Sequence, residues 1–262
     1  AFSLDGKHSN FLSFNKAFNI LDYDYLNYFS KKDIEAYHKL NVSIKYNDIS
    51  ENYNNFIIIV DGYFSAINTK KIYLNNNIFL NNLNYNISIK NNNINIDGLA
   101  DINNSIINFN FLKSDISEMN LKFNFNDQIF SNYSNLSNLK GSALVDCKIN
   151  RKDKIDLYSC NINLINSLLS FPNLNYVKDY SEEASLSING IFSNNLLYDN
   201  INFNFIHEEN LLGGYLKLDD MLDGFYINFK KFIFNKNDLQ LEILYKNKFL
   251  DINLLSGVFN LV

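Results

Sequence analysis

Ile201-Asn202-Phe203-Asn204-Phe205 alternates strictly between apolar and polar side chains. In an extended strand successive side chains point to opposite faces. Ile201, Phe203 and Phe205 therefore share one side, and the two asparagines share the other. On a helix the same five side chains would spread around the axis. The stretch reads as a β-strand with one apolar and one wet face, the pattern of a half-solvated antiparallel sheet.

The same period of two recurs on both sides of this stretch. Towards the amino end it appears in Leu186-Ser-Ile188, Leu121-Lys-Phe123-Asn-Phe125, Ile107-Asn-Phe109-Asn-Phe111, Ile94-Asn-Ile96, Ile87-Ser-Ile89 and Val42-Ser-Ile44-Lys-Tyr46. Towards the carboxyl end it appears in Leu216-Lys-Leu218, Phe225-Tyr-Ile227-Asn-Phe229 and Leu239-Gln-Leu241-Glu-Ile243. Asn91-Asn-Asn93 separates two runs like a hairpin loop, and Asp97-Gly98, Asn189-Gly190, Gly213-Gly214 and Asp223-Gly224 are turn or bulge signals. The spacing predicts roughly fourteen to sixteen strands. Pro172 is the single proline of the chain, so little interrupts the sheet. Two short helical pieces are expected. Ser30 caps Lys31-Lys-Asp-Ile34-Glu-Ala-Tyr37-His38, with acids in the first turn. Ile165 to Phe171 reads as a second helical turn before Pro172. The expected fold is all-β: a long, twisted, groove-shaped, mostly antiparallel sheet with one or two short helices.

Composition narrows the function classes. Hydrophobic residues make up 47% of the 262 residues and charged residues 19%, which suits a buried face rather than disorder. The net charge of −5 comes without a basic stripe, which argues against a nucleic-acid partner. No apolar run approaches the ~18 residues of a membrane span. About a fifth of the residues are Asn, as in the products of AT-rich genomes, so Asn serves here as a generic polar residue. The sequons at Asn41, Asn86, Asn103, Asn132 and Asn135 are no more than that composition produces by chance. The chain starts without Met and stops after an apolar strand. It is read as one continuous β-groove segment, 1–262, cut from a longer polypeptide. Residues 1–139 form a β-rich amino-terminal part with the helix near 30–39, and residues 140–262 form the carboxyl-terminal part.

Catalytic and metal-binding patterns are missing. There is no Gly-rich phosphate loop, no nucleophile elbow and no CxxC pair. His8, His38 and His207 lie far apart. His207-Glu208-Glu209 lacks the second histidine of a zinc motif and reads as a turn between strands. Asp219-Asp220 and Glu182-Glu183 read as solvated loop charges. No enzyme activity, cofactor or metal is expected. Cys147 and Cys160 are the only cysteines, and two readings stay open: small apolar core residues, or a disulfide. A turn over Asn150–Lys154 would set Cys147 nearer Leu157 than Cys160, so a direct bridge would need a bulge.

One region is more specific. It runs Lys154-Ile-Asp156-Leu157-Tyr-Ser-Cys-Asn-Ile-Asn-Leu164, then Leu168-Leu169-Ser-Phe171-Pro172-Asn-Leu174-Asn-Tyr176-Val-Lys178, then Glu183-Ala184-Ser-Leu186-Ser-Ile188. Leu212-Gly-Gly214-Tyr-Leu216, Phe234-Asn-Lys-Asn-Asp238-Leu239 and Phe249-Leu-Asp251-Ile-Asn-Leu254-Leu255 follow it. This succession resembles the AsmA-like family in its YhdP-like branch, most clearly over residues 140–262. Two departures stand out. Tyr176 occupies a position where Trp is common, and Asp179-Tyr-Ser-Glu182 lacks the family's usual Gly.

The resemblance implies an envelope protein of a Gram-negative bacterium, anchored in the inner membrane and extending through the periplasm. It implies a groove whose apolar interior binds and conducts phospholipid acyl chains between inner and outer membranes, supporting outer-membrane integrity. Its partners would be phospholipid, the inner membrane through a segment outside this chain, and outer-membrane proteins. The strand pattern poses a problem that lipid would solve: many apolar stripes and almost no helix to cover them. The groove candidates are Ile94, Ile96, Phe109, Phe111, Phe123, Phe125, Leu186, Ile188, Phe203, Phe205, Ile227, Phe229, Leu241 and Ile243. The competing reading is a structural or adhesive β-sandwich or β-solenoid domain of a surface protein, in which the same residues are ordinary core.

Overall fold

The computed structural model describes residues 2–7, 36–46, 56–66, 72–73, 79–90, 93–102, 105–114, 116–126, 139–152, 155–171, 175–193, 201–218, 224–234, 236–246 and 249–259. Within them the fold is all-β, every ladder is antiparallel, and the sheet is open rather than closed into a barrel. The chain divides into two compact units, Ala1–Phe123 and Asn124–Val262.

The first unit holds β1 (Phe2–Lys7), β2 (Ala36–Tyr46), β3 (Phe56–Ala66), β4 (Ile72–Tyr73), β5 (Phe79–Lys90), β6 (Asn93–Ile102), β7 (Ser105–Lys113) and the paired part of β8 (Ser117–Asn126). Successive strands pair, except that β3 passes β4 to pair with β5. Alternation predicts the faces correctly. Gly62, Ile87, Ile96, Phe111 and Met119 stand side by side across β3, β5, β6, β7 and β8. Val60, Tyr85, Ile87, Ile89, Ile94, Ile96 and Phe111 form one buried cluster on that face. Opposite it, Asn110 Nδ2 donates to Asp97 Oδ1 at 2.6 Å and to Asn95 Oδ1 at 3.1 Å.

The second unit begins with the hairpin of β9 (Leu139–Lys152) and β10 (Ile155–Asn163). Beyond β10 follow β13 (Ala184–Ser193), β14 (Ile201–His207), β15 (Asn210–Leu218), β16 (Phe225–Phe234), β17 (Asn237–Lys246) and β18 (Phe249–Val258), each pairing with the one before. Two short strands leave this order. β11 (Ser167–Phe171) pairs with the first residues of β9, and β12 (Tyr176–Lys178) pairs with β11.

Neither expected helix is found in the described residues. Ala36, Tyr37 and His38 open β2, where they pair with β3, and Tyr37 and His38 also with β1. Two ladders outweigh a single helical turn, whose nucleation is unfavourable. The rest of that expectation, Ser30–Glu35, lies outside the described residues. Ile165 and Asn166 form a turn and Ser167–Phe171 a strand. Their carbonyls are taken from across the fold: Ser181 N donates to Ile165 O and Ser142 N to Asn166 O. Pro172 lies outside the described residues.

The two cysteines form a disulfide. The hairpin ladder closes at Lys152 and Ile155, not around Asn150–Lys154, and this sets Cys147 directly opposite Cys160. No bulge is needed, because the shorter connection moves the register onto the cysteine pair.

Candidate functional site

The second unit carries an apolar face that can be followed strand by strand. One row runs Cys147, Cys160, Ile188, Phe203, Gly214, Phe229, Leu241, Leu254. The row on one side runs Val145, Ile162, Leu186, Phe205, Leu212, Phe232, Leu239, and the row on the other runs Ile201, Leu216, Ile227, Ile243, Ile252. Phe203 and Phe229 flank Gly214 and meet edge to face, 5.5 Å between ring centroids. All eight candidates in these strands, Leu186, Ile188, Phe203, Phe205, Ile227, Phe229, Leu241 and Ile243, stand on this one face. Leu241 is buried and the other seven are half-buried.

The six earlier candidates belong to the first unit and to β8. Ile94, Ile96 and Phe111 are only 6–7% exposed, inside that unit's cluster. Phe109 is half-buried against it, with its ring directly over Gly98. Phe123 is half-buried in the last pair with β7, and Phe125 follows it in β8. Here the apolar face is filled by its own side chains.

Along the second unit's face the cover changes. At one margin β11 and β12 lie against the sheet. Leu169 and Tyr176 join Ala143, Leu164, Ala184 and Phe234 in a buried cluster, and Leu186 and Phe205 pack on it. The Tyr176 ring stands 5.1 Å from Phe234 and edge-on to His207 at 5.5 Å. At the far edge the reverse holds. Every residue of β18 is exposed, with Leu254 at 50% and Phe249 at 79%. Among the described residues β18 pairs with β17 alone.

Lys178 fixes the covered margin. It is 0% exposed. Its Nζ donates to the carbonyls of Leu164 and Ser167, both at 2.6 Å, and more weakly to Ile165 at 3.4 Å. Burial holds its pKa below the usual lysine value, against the opposite pull of Glu182 and Asp179. Beside it, Tyr176 Oη and His207 Nδ1 share a hydrogen bond of 2.8 Å, and His207 Nε2 lies 3.3 Å from Glu182 Oε2. The Tyr176 hydroxyl is pushed up to about 12 by burial, then by Glu182 and Glu208. His207 ends β14, and Glu208-Glu209 form the two-residue turn to β15. Leu169, Tyr176, Lys178 and Ala184, which stand within the stretch Lys154–Ile188 that carries the resemblance, thus pack this margin.

Several face residues escape a reading of alternation alone. Leu212 precedes Gly213-Gly214, where β15 carries a register shift against β16. Phe232 rejoins the face after a bulge between Phe229 and Phe232. The signal for it is Lys230-Lys231, two consecutive exposed charges between two Phe residues. On the opposite face Tyr226 Oη and Asn228 Nδ2 both donate to Glu242 Oε1, and Ile206, Leu211 and Ile233 make a short apolar row of their own. Among the described residues no group of His, Cys, Asp and Glu side chains is placed to hold a metal ion. No helix among them is long and apolar enough to cross a membrane. Compared with known proteins, the chain matches no family model, no curated protein and no solved structure.

Proposed function

We propose that this chain is a segment of an AsmA-like, periplasm-spanning envelope protein. Its second unit's apolar face would bind phospholipid acyl chains and conduct them between inner and outer membranes. The observation that carries the reading is a face of Ile, Leu and Phe continuous from β13 to β18, which among the described residues is covered by β11 and β12 at one margin. Each methylene buried there is favourable by about 0.8 kcal/mol. Rows of similar side chains offer near-equal sites, so a chain can shift along them without a deep trap. The Cys147–Cys160 disulfide fits an oxidising compartment such as the periplasm.

The test is organic extraction and mass spectrometry of lipid from the chain purified without detergent. Phospholipid in near-stoichiometric amount is expected. A lipid-free, monodisperse, folded protein would overturn the proposal. One observation favours the structural reading for the first unit: Ile87 is 2% exposed and Ile96 7%, so that face is occupied by its own side chains.

A further inference from the structure

We infer that Arg151 is the phosphate contact for a phospholipid on the second unit's apolar face, at the margin opposite β11 and β12. The inference rests on the acyl-binding reading above and names the group that orients the lipid.

Arg151 is the only arginine among the chain's 23 Lys and Arg residues. Every other one is lysine, so a single guanidinium stands out. Its planar fork of donors matches a phosphate or a carboxylate, which a lysine ammonium does not. The register sets this side chain on the apolar side of the sheet. On β9, Val145, Cys147, Ile149 and Arg151 share one face, and Ile162, Cys160, Tyr158 and Asp156 of β10 stand opposite them. Phe192 of β13 faces Asp156. The apolar rows thus end on an ion pair, with Arg151 Nε 3.6 Å from Asp156 Oδ1. Asp156 is 5% exposed, while the Arg151 side chain is 21% exposed and reaches water. The same pair on the wet side would steady the hairpin with less desolvation, so stability alone does not place it beside Ile149 and Phe192.

A phospholipid matches this order of chemistry. Its acyl chains suit the rows of Ile, Leu and Phe, and its charged phosphodiester needs donors at a partly wet site. At the other margin Lys178 is committed to the Leu164 and Ser167 carbonyls under β11 and β12. Residues 148–156 carry Lys148, Arg151, Lys152 and Lys154 against Asp153 and Asp156, a cationic balance in a chain of net charge −5. Along the same margin Phe225 and Tyr245 stack at 5.3 Å, one step beyond Ile227 and Ile243. A ring with a hydroxyl suits the level where an apolar face meets water.

The experiment offers the delipidated chain mixed micelles with equal amounts of dioleoylphosphatidylglycerol and dioleoylglycerol. The retained lipids are weighed by mass spectrometry. The parent should prefer the phospholipid by about tenfold or more. Arg151→Gln should bring the preference within about twofold and leave the dioleoylglycerol load unchanged. Lys148→Gln, which removes a cation from the opposite face of β9, should keep the parent's preference. Asp156→Asn, which removes the competing carboxylate, should raise it. Should Arg151→Gln fail to fold, the Arg151→Gln, Asp156→Asn double variant leaves no unpaired carboxylate and must show the same loss. Excess inorganic phosphate should leave the phospholipid bound; its displacement would mark a site for free anion and overturn the inference. Dioleoylglycerol bound without preference, or a preference unchanged in folded Arg151→Gln protein, would overturn the inference alone. A folded parent that retains neither lipid would remove the acyl-binding reading and this inference with it.

Discussion

Phe203 of β14 and Phe229 of β16 meet edge to face across Gly214 of β15, with ring centroids 5.5 Å apart and planes at 78°. The two rings come from strands that are not neighbours. They touch because the strand between them contributes no side chain at that point.

This contact sits in the middle of the apolar face, so it is the place to test the proposed lipid binding without unfolding the protein. Phe203→Asp puts a carboxylate into the central row, where solvent still reaches because Phe203 is only half-buried. Co-purified phospholipid should fall about tenfold or more, a change of 1.4 kcal/mol or more. Circular dichroism should stay that of the parent. An unchanged lipid load in folded protein would remove this face from the proposed pathway.

Gly214 should tolerate no side chain. A Cβ there would overlap the Asn228 carbonyl and crowd Phe229 Cα at 3.1 Å, both backbone atoms of β16. Gly214→Ala should destabilise the second unit by about 1–3 kcal/mol in urea unfolding. At the adjacent Gly213 the nearest atom is the Asn204 side-chain oxygen at 3.3 Å, which can move aside. Gly213→Ala should cost less than about 1 kcal/mol. Equal costs would contradict the contact geometry.

Lys178→Met keeps the buried stem but removes the ammonium that serves Leu164 and Ser167 carbonyls. Losing these charged hydrogen bonds should cost about 2–3 kcal/mol, with Leu164 O keeping its bonds from Ser167 N and Ser167 Oγ. Lys140→Met, at an exposed position, should stay within about 0.5 kcal/mol. Denaturant midpoints at one pH compare the two. A Lys178→Met protein as stable as the parent would show that the ammonium contributes nothing net.

Tyr176 makes the protein sensitive to alkali in a defined direction. Its hydroxyl is raised from 10.0 to about 12, so the folded state holds this proton more tightly than the unfolded chain. The stabilisation is complete below pH 10 and is lost as pH rises from there through about 12. Tyr176→Phe has no such proton. The stability difference between parent and variant should therefore shrink across that interval, as read from unfolding midpoints. A constant difference would rule out Tyr176 as the source.

The Cys147–Cys160 bridge spans a sequence separation of 13. A loop of that size restricts the unfolded chain by about 3 kcal/mol. Reductant should lower the denaturation midpoint of the parent to that of the Cys147→Ser, Cys160→Ser double variant. It should leave the double variant unmoved. A reductant effect on the double variant would point away from the bridge.

Alternation made most strands and their faces legible, because the period of two is fixed by the strand backbone itself. The faces of Ile94, Ile96, Phe109 and Phe111, and of Leu186, Ile188, Phe203, Phe205, Ile227, Phe229, Leu241 and Ile243, needed no knowledge of their neighbours. Legibility ended where partners decide. Tyr37 carries helix-compatible spacing yet joins β2 because strands lie on both sides of it. Cys147 faces Cys160 because the hairpin closes on Lys152 and Ile155, past the centre of the expected turn Asn150–Lys154. Phe232 returns to the apolar face only through a bulge that two consecutive lysines mark.

Ile96 and Ile252 show the division most directly. Each stands in an alternating strand with a polar residue on either side, and the sequence by itself determined that each belongs to an apolar face. The tertiary structure alone decided that Ile96 is 7% exposed and Ile252 is 59%. The reason is physical. A side chain's direction is set by its own backbone, but its burial is set by the strands on both sides, and among the described residues β6 has β5 and β7 where β18 has β17 alone.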